Sequence, residues 1–161
     1  MTTTWQQTLA LGGVVAAGIN GGVFFGFSNF VMPALANLPT NEGISAMQAI
    51  NEAAPNPAFM ATLFGAGLIG IPAAVSAVGN LNTSQAKFQL AAMALSMGTI
   101  AITAAFHVPR NNALAAVQPT ATASTAQIWA GYVVSWTRGN HIRTLTSVAS
   151  AACFAMTLRP R

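Results

Sequence analysis

The chain alternates between long apolar runs and shorter polar segments. Four of the runs are candidates for membrane-spanning helices, because the hydrocarbon core of a bilayer needs roughly 20 helical residues. The first three contain no Asp, Glu, Lys or Arg, and the fourth continues directly from a polar segment. The four predicted spans are residues 9–32, 59–78, 88–106 and 140–158.

The fourth span is unusual because its apolar part is short, reaching only from Thr144 to Leu158. No proline occurs between residues 120 and 159, so one helix that starts near Ser124 can pass through the segment VVSWTRGNHIRTLT, residues 133–146, into the membrane. We therefore predict a long fourth helix whose first part is an amphipathic extension outside the bilayer.

Glycines and prolines give further local predictions. Gly18, Gly22 and Gly26 recur every four residues, so they share one helix face and favour close packing with another helix. Association of identical chains through this face is the alternative, which would make the protein a homo-oligomer. Pro109 disfavours helical backbone at Val108 and predicts that the third span ends there.

The composition agrees with a membrane protein. Apolar residues make up 53% of the chain and charged residues 5%, against roughly 25% charged residues in soluble domains. The expected fold is all-α: one domain over residues 1–161 that forms an integral membrane four-helix bundle, placed in the bacterial inner (plasma) membrane. Six basic residues scattered between apolar runs form no stripe that could follow phosphates, which argues against nucleic acid. Cys153 is alone and supports neither a disulfide nor a thiolate metal site.

Most of the ionisable residues are predicted to lie at one membrane face. Four spans place both acids, Glu42 and Glu52, on the side that also carries the residues His107, Arg110, Arg138, His141 and Arg143. Basic residues are equally frequent on the two sides, so the orientation in the membrane stays open. Ionisable groups at the hydrocarbon boundary mark a cavity, a pathway or a contact with lipid headgroups.

Within the long fourth helix, one face combines aromatic and polar side chains. Its members recur by three or four positions, and His141 lies on the flank of this face; they are Trp129, Val133, Trp136, Asn140, Arg143 and Thr144. Such a face fits either a core with a satisfied hydrogen-bond network or the wall of a small-molecule pocket. Asn111 and Asn112, which follow Pro109, are suited to capping helix ends or to bridging between helices.

Four segments of the chain resemble the anthrone oxygenase-like family of small four-span membrane proteins. They are GVFFGFSNFVMPAL (22–35), AMQAINEAAPNPAFM (46–60), HVPRNNALAAV (107–117) and WTRGNHIRTLTS (136–147). The resemblance covers nearly the whole chain. Two residues depart from the family pattern: His107 stands where an Asn is expected, and Gly139 stands where a bulky aromatic residue is common.

The resemblance implies an enzyme, a cofactor-independent oxygenase that converts an anthrone to an anthraquinone. Its partners would be a hydrophobic substrate, dioxygen and membrane lipid. His141 is the candidate base, because imidazole titrates near neutrality. Arg143, with Asn140 or Asn112, would hold the enolate oxygen, and Trp136 and Trp129 would stack on a flat polycycle. The remaining candidates for substrate binding are His107, Asn111 and Glu52, the last of which would orient the histidine or pair with an arginine.

Other functions stay open at this point. No local spacing of ligands indicates a metal, so we expect neither metal nor cofactor, although ligands distant in sequence stay an alternative. The rival hypothesis is a non-enzymatic membrane protein that binds lipid, a quinone or a partner subunit through its polar face. In that case Arg138 and Arg143 would contact headgroup phosphates. Transport is less favoured, because one four-span unit shows no evident inverted repeat.

Overall fold

The computed structural model describes residues 4–79 and 81–159, and all regular secondary structure in this part of the chain is helical. The all-α class expected from the sequence is therefore confirmed. In chain order the elements are α1 (Thr4–Gly26), a first π-helical segment (Phe27–Val31), α2 (Met32–Ala36), α3 (Thr40–Ala53), α4 (Pro57–Val78), α5 (Ser84–Ile102), a second π-helical segment (Thr103–His107), α6 (Val108–Ala115) and α7 (Ala123–Met156).

The four long helices pack side by side, with α1 and α5 each lying against both α4 and α7. Glycines allow this close approach: a Cβ atom on Gly13 would lie 2.8 Å from the Phe154 ring, and one on Gly21 would lie 2.9 Å from Val148. The glycines singled out in the sequence behave differently. A Cβ on Gly18 or Gly22 would meet no atom within 4 Å, whereas one on Gly26 would lie 2.9 Å from the Phe30 ring. In the part of the chain that the structure describes, Gly18 and Gly22 therefore pack on no other helix.

Three helical stretches are long and apolar enough to cross a membrane by length and composition, which indicates an integral membrane protein. They are Thr4–Ala36, Pro57–Val78 and Ser84–Ala115. The long helix α7 is not among them. Its polar residues, which include Arg138 and Arg143, lower its mean hydropathy, so this criterion supports three of the four predicted spans.

Helix α7 runs without interruption for 34 residues, as the absence of proline predicts. Thr122 caps its start, where the Thr122 hydroxyl accepts a hydrogen bond from the Thr125 amide at 3.3 Å. The residues of VVSWTRGNHIRTLT therefore all lie within one helix, and the predicted start near Ser124 is confirmed.

The third predicted span does not end at Val108, and the prediction from Pro109 was wrong. The chain passes from the second π-helical segment directly into α6, with Pro109 as the second residue of that helix. Proline is tolerated in the first turn of a helix, and the π-helical segment resets the hydrogen-bond register immediately before it. Pro33 has the same position in α2, after the first π-helical segment.

The short helices α2, α3 and α6 pack on the first half of α7, and together these four parts are called the cap. Helices α3 and α6, and all of α2 except Met32, lie outside the four predicted spans. Gln48 joins two of these helices, because its amide donates to Leu114 O at 2.9 Å and to Val117 O at 2.8 Å. The core of the cap consists of Met32, Leu35, Ile44, Met47, Leu114, Trp129, Tyr132 and Trp136.

Candidate functional site

A cavity of about 410 Å³ lies where the cap meets the long helices. Both π-helical segments contribute to its wall, the first through Phe27 and the second through Thr103 and His107. Irregular helical turns of this kind occur frequently at functional sites. The side chains that give the cavity its character are aromatic or polar: Phe24, Phe27, Phe59, Trp136, Asn51, Asn56, Asn111, His107 and Arg143.

Arg143 supplies the positive charge of the cavity. Its side chain is 5% exposed, and the guanidinium lies between two rings, with Cζ 4.3 Å from the centre of Phe24 and 5.1 Å from that of Trp136. Nη2 donates to Asn140 Oδ1 at 2.7 Å, whereas the buried Nε has no hydrogen-bond partner. None of the described residues that line the cavity is acidic. The cavity therefore carries a cation without a protein counter-ion.

Asn140 fixes the position of Arg143 without lining the cavity. The Asn140 side chain is fully buried, and its Nδ2 donates to Phe24 O at 2.6 Å and to Ser28 Oγ at 2.7 Å. Its Oδ1 accepts the hydrogen bond from Arg143. Asn140 thus ties α7 to the end of α1 and orients the guanidinium.

Trp136 is held by a second amide. Asn111 Oδ1 accepts from Trp136 Nε1 at 3.0 Å and from the Tyr132 hydroxyl at 2.9 Å, so Asn111 bridges α6 to α7. Asn51 donates to the same hydroxyl at 3.4 Å. Tyr132 lies before residues 140–158, the predicted membrane part of α7, and burial raises the pKa of its phenol to about 12. The phenol is therefore a neutral donor at physiological pH.

His107 is buried at the edge of the cavity, 1% exposed. Its Nδ1 lies 3.4 Å from Ile102 O, and its Nε2 lies 3.3 Å from Trp136 O. The imidazole packs edge-on against Trp136, with ring centres 5.2 Å apart. Both ring nitrogens face hydrogen-bond acceptors, so an imidazole that gained a proton could donate to both carbonyls.

Residues 57–153 match the sequence model of a known family, described as anthrone oxygenase. The match covers more than half of the chain and includes α4, α5, the second π-helical segment and most of α7. The chain belongs to the anthrone oxygenase family. No curated protein and no solved structure shows significant similarity to it.

The anthrone oxygenase match includes both positions at which the sequence departs from the family pattern, and these two positions lie in contact. A Cβ atom on Gly139 would lie 3.0 Å from His107 Cε1 and 2.7 Å from Phe106 Cδ1. The absence of a side chain at Gly139 therefore makes room for Phe106 and His107 together.

The structure brings together four of the residues that the sequence predicted for the anthrone oxygenase site: His107, Asn111, Trp136 and Arg143 line the cavity. Asn140 lies behind them. The other four lie outside the cavity wall. His141, Asn112 and Glu52 are exposed, and Trp129 is buried in the core of the cap, stacked on Tyr132 with ring centres 5.7 Å apart.

Several residues of the cavity wall were not candidates in the sequence. Phe24 and Phe27 come from α1 and the first π-helical segment, and Asn51 and Phe59 come from α3 and α4. All four belong to segments that carry the resemblance to the family, but none of them is ionisable, and their positions in the sequence do not show that they meet in space.

The described residues include no group of three or more His, Cys, Asp or Glu side chains that could hold a metal ion. The cavity itself presents one imidazole, several amides and one guanidinium. This donor set suits an anionic, largely aromatic molecule better than a divalent cation, because the guanidinium repels cations.

Proposed function

We propose that the protein is a membrane-embedded oxygenase that oxidises an anthrone-like or other hydrophobic aromatic substrate without a cofactor, and that Arg143 holds the substrate as its anion. The observation that carries this proposal is the environment of Arg143, a buried guanidinium with an unpartnered Nε and no acidic neighbour in the cavity wall.

A guanidinium stays charged at neutral pH, and burying a charge without a partner is strongly unfavourable. The missing partner is an anion that enters the cavity. Phe24 and Trp136, which flank the guanidinium, offer flat faces on which a polycyclic ring system can pack. The cavity volume of about 410 Å³ lies within the usual range of small-molecule sites.

The proposed reaction begins with removal of one proton from the methylene carbon of an anthrone. The resulting anion places negative charge on the carbonyl oxygen, where Arg143 donates hydrogen bonds to it. The electron pair of the anion reduces dioxygen as a carbon–oxygen bond forms, and protonation gives a hydroperoxide. Loss of the second methylene proton then breaks the oxygen–oxygen bond, forms the second carbonyl and releases water. Anthrone and dioxygen thus give anthraquinone and water.

His107 takes the role of base that the sequence argument gave to His141. His141 is exposed and lies outside the cavity, whereas His107 lines it. The neutral His107 ring carries one N–H, and its other nitrogen would turn from the carbonyl that it faces toward the cavity to accept the substrate proton. The carbonyls of Ile102 and Trp136 stabilise the imidazolium that results, because each can then accept an N–H.

A four-span arrangement in the membrane is part of the proposal. The residues of α7 that follow the cavity divide by polarity: Ser147 and Ser150 are buried among the helices, whereas Leu145 is 69% exposed and Val148 53% exposed. An apolar outer face suits contact with lipid, and the polar Ser147 and Ser150 in this part of α7 face inward. The cavity would then lie near the membrane boundary, where a hydrophobic substrate concentrates.

The test is an assay on the full-length protein in detergent with an anthrone and dioxygen. Anthraquinone absorbance and oxygen uptake are followed against a protein-free sample that records autoxidation. We expect a rate above autoxidation, incorporation of one ¹⁸O atom from labelled dioxygen per quinone formed, and a loss of about 10²–10⁴-fold in His107→Gln, the range for removal of a general base.

Two further variants make the assay decisive. Arg159→Gln, at the other end of α7, is the matched control and should keep the full rate. His141→Gln should also keep the full rate. Loss of activity in His141→Gln together with full activity in His107→Gln would show that His141 is the base, as the sequence predicted. Quenching of tryptophan fluorescence by the anthrone without any rate above autoxidation would reject an oxygenase for that substrate and favour a binding protein.

A further inference from the structure

A second concave surface lies on the outside of the helices and is not part of the cavity. This outer groove has a volume of about 820 Å³ and runs between α7 on one side and α5, the second π-helical segment and α6 on the other. Two of its lining residues are arginines, Arg110 and Arg138, and none of the described residues that line it is acidic. The groove therefore attracts negative charge.

The lining of the outer groove changes from apolar to cationic between Ile142 and Arg138. At its end toward the middle of the long helices lie Ile102 and Ile142, which are apolar. One turn closer to the cap lies Arg138, and Arg110 lies on the facing helix. This apolar end therefore lies deeper in the membrane-spanning part of the protein, and the cationic end of this stretch lies at its boundary; the groove continues past the arginines along Ala130, Gly131 and Val134. An amphiphile with a negative headgroup and an apolar tail has the same order of parts.

The Arg110 side chain is held in place at the cationic end. Its Nη1 donates to Phe106 O at 2.9 Å, and its Cζ lies 3.4 Å from the centre of the Phe106 ring. Because Arg110 is held by these contacts, less side-chain entropy is lost when it binds an anion. The exposed Arg138 lines the same groove.

We propose that the outer groove binds an anionic phospholipid, with the phosphate between Arg110 and Arg138 and an acyl chain along Ile102 and Ile142. The site is separate from the cavity, but Phe106 joins the two. The Phe106 ring lines the groove and packs edge-on against His107, with ring centres 5.2 Å apart. A lipid in the groove thus contacts the residue that supports the imidazole in the cavity wall.

Lipid binding is tested by native mass spectrometry of the full-length protein released from detergent, with phosphatidylglycerol or phosphatidylcholine of identical acyl chains added. We expect phosphatidylglycerol to bind more tightly, and each of Arg110→Gln and Arg138→Gln to weaken it about fivefold, which corresponds to roughly 1 kcal/mol per basic residue near a membrane surface. Arg159→Gln is the matched control, because Arg159 is an exposed arginine outside the groove.

A second variant tests the groove without changing its charge. Ile142 is half exposed and lines the apolar end of the groove, so Ile142→Ala should fold and should remove part of the surface that the acyl chain covers, with weaker binding of both lipids. Equal binding of the two lipids, equal loss in Arg159→Gln, displacement by inorganic phosphate, or unchanged binding in Ile142→Ala would each overturn the proposal. None of these measurements depends on turnover, so they stand apart from the oxygenase assay.

Discussion

Helix α7 carries two arginines, Arg143 and Arg138, on different faces, and the two side chains differ in burial. Arg143 is buried between two aromatic rings, has one amide partner and lies in the wall of a cavity. Arg138 is exposed and lines a groove that opens to the outside. An exposed guanidinium is solvated by water or headgroups at little cost, whereas a buried one needs an anion. Burial, and not residue type, therefore distinguishes the arginine proposed to hold the substrate from the arginine proposed to contact lipid.

The largest effect is expected from Arg143→Met. Methionine removes an unpaired buried charge but leaves Asn140 Oδ1 without its donor, so the two effects oppose each other and the protein should fold with a loss of stability of no more than about 1–3 kcal/mol. Turnover of an anthrone should fall by about 10²–10³-fold, the usual loss when a donor to a developing oxyanion is removed. The rate above autoxidation measures this, and Arg138→Met made in parallel should retain its activity. Equal loss in both variants would abolish the distinction between the two arginines.

A large structural effect is expected from Asn140→Leu. The substitution removes the hydrogen-bond partner of Phe24 O, Ser28 Oγ and Arg143 Nη2. Each buried polar group left unpaired lowers the free energy of unfolding by about 1–3 kcal/mol. Thermal unfolding should shift markedly downward. Asn112→Leu is the control, because Asn112 is exposed and should change stability by less than about 0.5 kcal/mol. A normal unfolding temperature in Asn140→Leu would mean that Arg143 is oriented by something else.

Two glycines of α7 that both line the outer groove should respond differently to one added methyl group. Gly139→Ala introduces a Cβ that would lie 2.7 Å from Phe106 Cδ1 and 3.0 Å from His107 Cε1, and such overpacking destabilises by about 1–3 kcal/mol. Gly131→Ala meets open space and should stabilise the helix by roughly 0.5–1 kcal/mol. Unfolding measurements on both variants should therefore give changes of opposite sign. Stabilisation by both substitutions would show that Phe106 moves aside freely.

The smallest effect on stability is expected from Arg138→Met. The side chain is exposed and the structure gives it no buried partner, so the free energy of unfolding should change by less than about 0.5 kcal/mol. Thermal unfolding in detergent measures it beside Arg143→Met. A stability loss comparable to that of Asn140→Leu would show that Arg138 supports the fold and would weaken its assignment to the outer groove.

The long helices and the polar face of α7 could be predicted from the sequence. Helical spacing placed Trp129, Trp136, Asn140 and Arg143 on one face, and all four are buried. The same spacing left His141 on the flank, and it is exposed. The general chemistry of imidazole made His141 the candidate base, although this spacing placed it off the face. His107, which lines the cavity, was predicted to bind the substrate and not to act as the base.

The cap and the π-helical segments could not be predicted in the same way. Helix α3 is short and only partly apolar, and α6 begins at a proline that usually marks a helix end. A π-helical segment has no distinctive residue composition, because it is defined by hydrogen-bond register. The cavity wall depends on how these parts meet in space, so Phe24, Phe27, Asn51 and Phe59 gave no sign of acting together.

The two π-helical segments determine where the chain can lose a residue without disturbing the cap. An i to i+5 hydrogen bond encloses one residue more than the i to i+4 bond of an α-helix. Each residue of an α-helix turns the chain by about 100°. Deletion of one residue within α1 should therefore rotate α2 by that angle and carry Met32 and Leu35 away from the core of the cap, whereas deletion of one residue within Phe27–Val31 should change the π turn to an α turn and leave α2 in place.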